Sequence, residues 1–215
     1  MIKNRLQSVL VFTLTLVAGC GEQHSFISSG EYLGSTLASA EEIQSVVLDK
    51  HNGFLKERKI GQYIYKTLYK PVDFIISREK TETIDRQSYL EKKNSLDGLY
   101  YFDLRIVNTT NTGDLLKSIS SDYGDYDLKV KYCAYQMQYD IHLVAGTDTI
   151  PCILFHFERT FDVAPVSTFL LGFAKPVSHQ YDDLQLIYHD NLFNNGIIKF
   201  HFTREDIENV PNLEL

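Results

Sequence analysis

From Tyr100 to Val107 the chain alternates, with Tyr100, Phe102, Leu104 and Ile106 on one side and Tyr101, Asp103, Arg105 and Val107 on the other. A period of two with one apolar side predicts a half-buried strand. Strand patterns also mark Ile60 to Tyr69, closed by Lys70-Pro71, and the long stretches Leu128 to Val144 and Pro151 to Phe161. Phe169, Leu171 and Phe173 predict a further strand, and Leu184 to His189 with Ile197 to Phe202 a hairpin across Asn194-Asn195-Gly196. Helical spacing is rarer. Ser39-Ala40-Glu41-Glu42 has the form of a capping box, Ile43, Val46 and Val47 follow on one side, and Asn52-Gly53 offers a stop. These features predict a helix over residues 40–51, a second over Asp85 to Leu96 before Asp97-Gly98, and a short one over Asp114 to Ile119. Thr203-Arg204-Glu205-Asp206 can cap one more turn. Strands joined by short turns, with few helices between them, predict an α+β fold: a mainly antiparallel, sandwich-like sheet with two or three short helices.

The first twenty residues follow a different pattern. Lys3 and Arg5 precede an apolar run from Leu6 to Val17, and Ala18-Gly19 stand directly before Cys20. The run is signal-peptide length, short of the roughly 20 residues a spanning helix needs. Small residues before a cysteine look like the lipobox of bacterial lipoproteins. That resemblance implies cleavage before Cys20, a thioether-linked diacylglycerol and an acylated amino group, palmitate being a typical chain. Residues 1–19 then read as leader, 20–37 as a Gly/Ser-containing tether and 38–215 as one globular domain. As a flexible coil, a tether of about 18 residues spans on the order of 25 Å.

Loss of Lys3 and Arg5 with the leader takes the formal net charge from −7 to −9. No clustered Lys/Arg face is available for nucleic acid, and basic attraction cannot hold a membrane, so the lipid must. Fourteen Tyr and 13 Phe supply a large aromatic core, while Trp is absent.

The loop Ala145-Gly146-Thr147-Asp148-Thr149 sets a register for the long hairpin. With the turn centred on Thr147, Ile141 faces Ile153, Tyr139 faces Phe155 and Met137 faces Phe157, all on one face. Cys133 then sits opposite Phe161, roughly 30 Å along the ladder from Cys152, and disulfide Cα atoms must lie within about 7 Å. Two free thiols are expected. The opposite face brings His142 to Cys152 and Gln138 to His156, with Asp140 diagonal. His142, Cys152, His156 and Asp140 are therefore candidate ligands for a transition metal such as Zn²⁺.

Other chemistry-bearing patterns are isolated. Ser77-Arg78-Glu79-Lys80 has the Ser-x-x-Lys spacing of serine β-lactamases, but Ser121-Asp122-Tyr123 and Lys66-Thr67-Leu68 stand where Ser-Asp-Asn and Lys-Thr-Gly are needed. Asp122, Asp125 and Asp127 fail as an EF-hand, because Cys133 occupies the position of its bidentate Glu; they read as a strand-entry turn. Asn108-Thr109-Thr110 is an N-glycan sequon. Asp148-Thr149-Ile150 is similar to the acceptor of general O-glycosylation systems in Bacteroidetes, which makes Thr149 a candidate modification site.

Several phrases together resemble a group of uncharacterised Bacteroidetes outer-membrane lipoproteins. They are Asn52-Gly53, Tyr69-Lys70-Pro71, Gly146-Thr147-Asp148-Thr149-Ile150-Pro151-Cys152, His156-Phe157-Glu158-Arg159, and Ile207-x-x-Val210-Pro211-x-Leu213. The resemblance implies an outer-membrane anchor and brings no activity with it. Surface export in these bacteria goes with an acidic cluster after the lipid cysteine; Gly21-Glu22-Gln23-His24 has one acid, which favours the periplasmic face. The expectation is a non-enzymatic envelope lipoprotein without a cofactor, held by lipid on Cys20 and binding another envelope protein. A metal-dependent protein using His142, Cys152 and His156 is the alternative. A glycan-binding module is a third, and it requires exposed tyrosines in a groove.

Overall fold

The computed structural model describes residues 37–79, 85–159, 164–176 and 183–214. The leader, Cys20 and nearly all of the proposed tether lie outside them. Strand β1 (Leu37–Ala38) leads into α1 (Ala40–Leu48), whose capping box forms as expected: Ser39 Oγ accepts from Glu42 N–H and Glu42 accepts from Ser39 N–H. Ile43 and Val47 are its buried side. β2 (Leu55–Ile60) and β3 (Tyr63–Lys70) form a hairpin, followed by α2 (Val72–Ser77), a helix with no side-chain cap to signal its start. Asp85 caps α3 (Arg86–Leu96), accepting from the Gln87 and Ser88 amides, and β4 (Leu99–Asn108) carries the alternation seen in the sequence.

The region after β4 departs from expectation. A 3-10 turn (Lys117–Ile119) precedes α4 (Tyr123–Tyr135), and a second 3-10 turn (Met137–Asp140) follows. The predicted strand from Leu128 is thus helical as far as Tyr135, and strand geometry starts only at β5 (Ile141–Ala145). Asp122 is not a strand-entry residue but the N-cap of α4, accepting from Asp125 N–H, and the ion pairs Asp125–Lys129 and Asp127–Lys131 stitch successive turns. Spacing of i,i+4 between opposite charges supports a helix even where, as here, Cys133 is the one fully buried residue.

β6 (Asp148–Glu158), β7 (Val166–Ala174), β8 (Asp183–Asp190) and β9 (Gly196–Thr203) complete the sheet. α5 (Arg204–Glu208) has a Thr203/Asp206 capping box, and β10 (Asn212–Leu213) pairs in parallel with β1. The eight-stranded sheet runs β2-β3-β4-β7-β6-β5-β8-β9, every neighbouring pair antiparallel. The fold is α+β with a mainly antiparallel sheet, as expected, and the sheet is rolled close to a barrel. Its edges approach each other, where Arg58 of β2 donates to the Lys199 carbonyl of β9 at 3.4 Å.

Aromatic rings fill the roll. Phe102 lies 5.3 Å from Tyr69, 5.9 Å from Phe173 and 5.2 Å from Phe202, joining β4 to β3, β7 and β9 in one cluster. Burial of such rings is the main source of stability in a sheet of this kind.

Candidate functional site

The hairpin of β5 and β6 turns through two residues, Gly146 and Thr147, with Gly146 at φ 58° as tight primed turns require. His142 therefore pairs with Pro151 and Leu143 with Ile150, one residue away from the expected register. A slip of one residue exchanges the faces. Leu143, Ile150 and Cys152 point into the core while His142 points out, so His142 and Cys152 lie on opposite faces. His156 is exposed beyond a bulge at Cys152/Leu154, flanked by Phe155 and Phe157, which pack on Phe169. It stands five residues past Pro151, or about 16 Å along the strand. Asp140 is taken by Tyr132, whose hydroxyl donates to it at 2.6 Å. The expected pairings Tyr139–Phe155, Met137–Phe157 and Gln138–His156 do not form, because residues 137–140 are a 3-10 turn. The four proposed ligands thus do not converge, and among the described residues no three His, Cys, Asp or Glu side chains are grouped to hold a metal ion.

Other singled-out groups serve the fold. Cys133 and Cys152 are free, buried thiols; burial pushes them up to about 12 and about 11. A thiol so far from ionisation is a poor nucleophile at neutral pH. Ser77 donates to the Phe74 carbonyl within α2, and Asn108 is buried with its side-chain oxygen accepting from Thr110. Thr149 is exposed beside the hairpin turn. His142 has a neighbour the sequence did not reveal: His189 of β8, 5.5 Å away between ring centroids, and burial together with that second imidazole lowers its pKa.

Two tyrosine clusters went unnoticed in the sequence. The first surrounds Asp190 at the end of β8, which is 3% exposed. Its carboxylate accepts from the Tyr65 hydroxyl at 2.6 Å, the Tyr188 hydroxyl at 3.1 Å, and the backbone amides of Leu192, Phe193 and Asn195 at 3.0 to 3.3 Å. Asn195 in turn donates to Tyr65 at 2.7 Å. Burial first, and then the neighbouring carboxylate, raises the pKa of both phenols. Five donors leave this carboxylate little capacity for anything else.

The second cluster lines a cleft of about 380 Å³ between the first 3-10 turn and the start of α4, formed by Lys117, Ser120, Asp122, Tyr123 and Tyr126. Buried Leu115 and Leu116 anchor the turn, Asp114 accepts from Lys117 N–H at 2.8 Å, and Ser120 Oγ donates to the Leu116 carbonyl. Ser121 N–H donates to Asp125, whose pKa is lowered first by Lys129 and then by that amide. These bonds fix the backbone on which Tyr123 stands, yet the residue is 84% exposed. Tyr126, one helical turn on, packs against the core and accepts a 3.4 Å hydrogen bond from Arg159. The two rings are 6.4 Å apart and tilted by 42°. A cleft with aromatic walls and a few polar groups is the usual build of a small-ligand site.

No family model matches the chain, and no curated protein matches it. Among solved structures, a DUF4426 family protein from Pseudomonas aeruginosa PAO1 aligns at 9% identity over 69% of this chain and 91% of that one, with a TM-score of 0.32. A likeness that slight carries no argument about fold or activity.

Proposed function

We propose that this chain is a lipid-anchored envelope lipoprotein that acts by binding rather than by catalysis, held at the outer membrane through Cys20 and facing the periplasm. The observation that carries the anchor is Ala18-Gly19-Cys20 closing a basic-then-apolar leader. Two or more acyl chains hold a protein stably, whereas one holds it reversibly. The phrase-level resemblance to Bacteroidetes lipoproteins and the single acid after Cys20 support the membrane and the face. Binding is supported by the chemistry of the domain: its thiols are buried and protonated, its most heavily bonded carboxylate is occupied by five donors, and its aromatic cleft stands open.

Metabolic labelling with an alkyne-tagged fatty acid tests the anchor. Label is expected in the wild type and absent from Cys20→Ala, and label persisting in that variant would remove Cys20 from the account. Crosslinking in intact cells tests the rest, with recovery of an envelope component expected and repeated recovery of nothing counting against a binding role.

A further inference from the structure

We propose that the cleft at the start of α4 is a saccharide subsite, with Tyr123 its stacking wall, Tyr126 its floor, and Lys117, Ser120 and Asp122 its polar rim. The inference rests on the binding role proposed above and gives it a ligand class.

Tyr123 is the first indication. Its backbone is held by the Asp122 cap while the residue is 84% exposed, so the core makes almost no use of it. A tyrosine held this way offers a wide, rigid face at little conformational cost, having only two side-chain torsions to fix. Tyr126 is braced by the core and by Arg159, and the 42° tilt keeps the two rings from closing on each other as a stacked pair. A pyranose ring suits such a wall. One of its faces is lined with weakly polarised C–H groups that meet the negative face of an aromatic ring, while its edge carries hydroxyls.

The rim matches those hydroxyls, which both donate and accept. The Ser120 hydroxyl has spent its proton on the Leu116 carbonyl and keeps lone pairs to accept with. Asp122 accepts from the Asp125 amide on one oxygen and, at 3.5 Å, from the Ser121 hydroxyl on the other, and a carboxylate retains further acceptor sites beyond these two. Asp122 on the lining, in a chain of net charge −7, disfavours a phosphate or polyanion. The volume, about 380 Å³, falls at the low end of the range for small-ligand sites.

The test uses the full-length lipoprotein in detergent micelles. Chitotetraose, cellotetraose and maltotetraose are titrated by calorimetry and by saturation-transfer NMR, and insoluble peptidoglycan sacculi are tested by co-sedimentation. At least one probe is expected to bind, with its association constant falling about tenfold or more in Tyr123→Ala and by no more than about twofold in Tyr123→Phe. An unchanged thermal midpoint in Tyr123→Ala would separate lost binding from lost folding. Binding to sacculi alone assigns a cell-wall glycan, and binding to a soluble tetrasaccharide alone assigns free oligosaccharide; either supports the site. Failure of all four probes, or undiminished binding by Tyr123→Ala, overturns the saccharide assignment. Acyl labelling and crosslinking read the anchor and the binding role separately, so that failure would leave them standing.

Discussion

Around Asp190, Tyr65 and Tyr188 bury their rings and spend both hydroxyls on one carboxylate, whereas at the start of α4 Tyr123 holds its ring in solvent beside an open cleft. Both regions have tyrosine next to aspartate, and both are held by backbone amides bonding to the aspartate. The difference lies in what remains unspent. Near Asp190 each polar atom meets a protein partner, so the cluster ties β3 to β8 and to the 191–195 turn. Beside α4 the backbone is fixed but the aromatic face is not used, and an unused rigid face is what a ligand needs.

The largest expected effect comes from breaking the first region. Asp190→Ala removes the acceptor of two buried phenols and three amides and should cost about 3–5 kcal/mol in urea unfolding. For a domain of this size that lowers the thermal midpoint by roughly 10 °C. A loss below about 1 kcal/mol would mean the cluster is not the tie described here.

Tyr65→Phe keeps the ring and removes one hydroxyl, at an expected cost of about 1–2 kcal/mol. The same variant carries a pH signature. Burial and nearby carboxylates raise the folded pKa of Tyr65, Tyr132 and Tyr188 above the ordinary phenol value. Above about pH 10 the unfolded tyrosines release protons that the folded ones retain, so stability falls as pH rises, by at most about 1.4 kcal/mol per pH unit for each group. Urea melts between pH 8 and pH 11 should show that decline, shallower in Tyr65→Phe.

Two residues along β3, Thr67 supplies the converse case: a buried hydroxyl that, among the described side chains, stands without a hydrogen-bond partner. Thr67→Val removes that unmet polar group without changing shape, and should stabilise the domain by up to about 1 kcal/mol. The smallest change is expected in the second region. Tyr123→Ala should move the unfolding free energy by no more than about 0.5 kcal/mol, because surface positions seldom do more. A cost of about 2 kcal/mol or more would show that Tyr123 belongs to the fold and would erase the contrast with Tyr65.

Local chemistry made much of the fold legible. Ser39 with Glu42, Asp85, and Thr203 with Asp206 announced three helix starts, since a capping side chain bonds within three residues of itself. The alternation in β4 holds because Phe102, Leu104 and Ile106 on one face are all buried. α4 departs from its local strand pattern for a physical reason. Tyr, Val and Cys at 123–135 favour strands in isolation, and the helix depends instead on the Asp122 cap and two i,i+4 ion pairs. The hairpin register failed by one residue because Gly146 takes a positive φ and shortens the turn. Neither tyrosine cluster could be read as a motif. Tyr65 and Asp190 are brought together from 125 positions apart, and the cleft leaves only the i,i+3 pair Tyr123 and Tyr126 as its trace in the sequence.

The short parallel pairing of β1 with β10 also bears on timing. Leu37 meets Asn212, Ala38 meets Leu213, and the Glu214 amide donates to the Ala38 carbonyl at 2.9 Å. A ribosome releases the chain from its N-terminus, so this clasp has no second half until Leu213 has been made. Closing a free chain over that distance would cost on the order of 5 kcal/mol in entropy, and the rolled sheet between the ends meets that cost beforehand. The contact nearest the proposed anchor is thus one that cannot form until nearly the whole domain has been made. Any enzyme that cuts or acylates the chain before the clasp closes works on an N-terminal segment whose first strand is still unpaired.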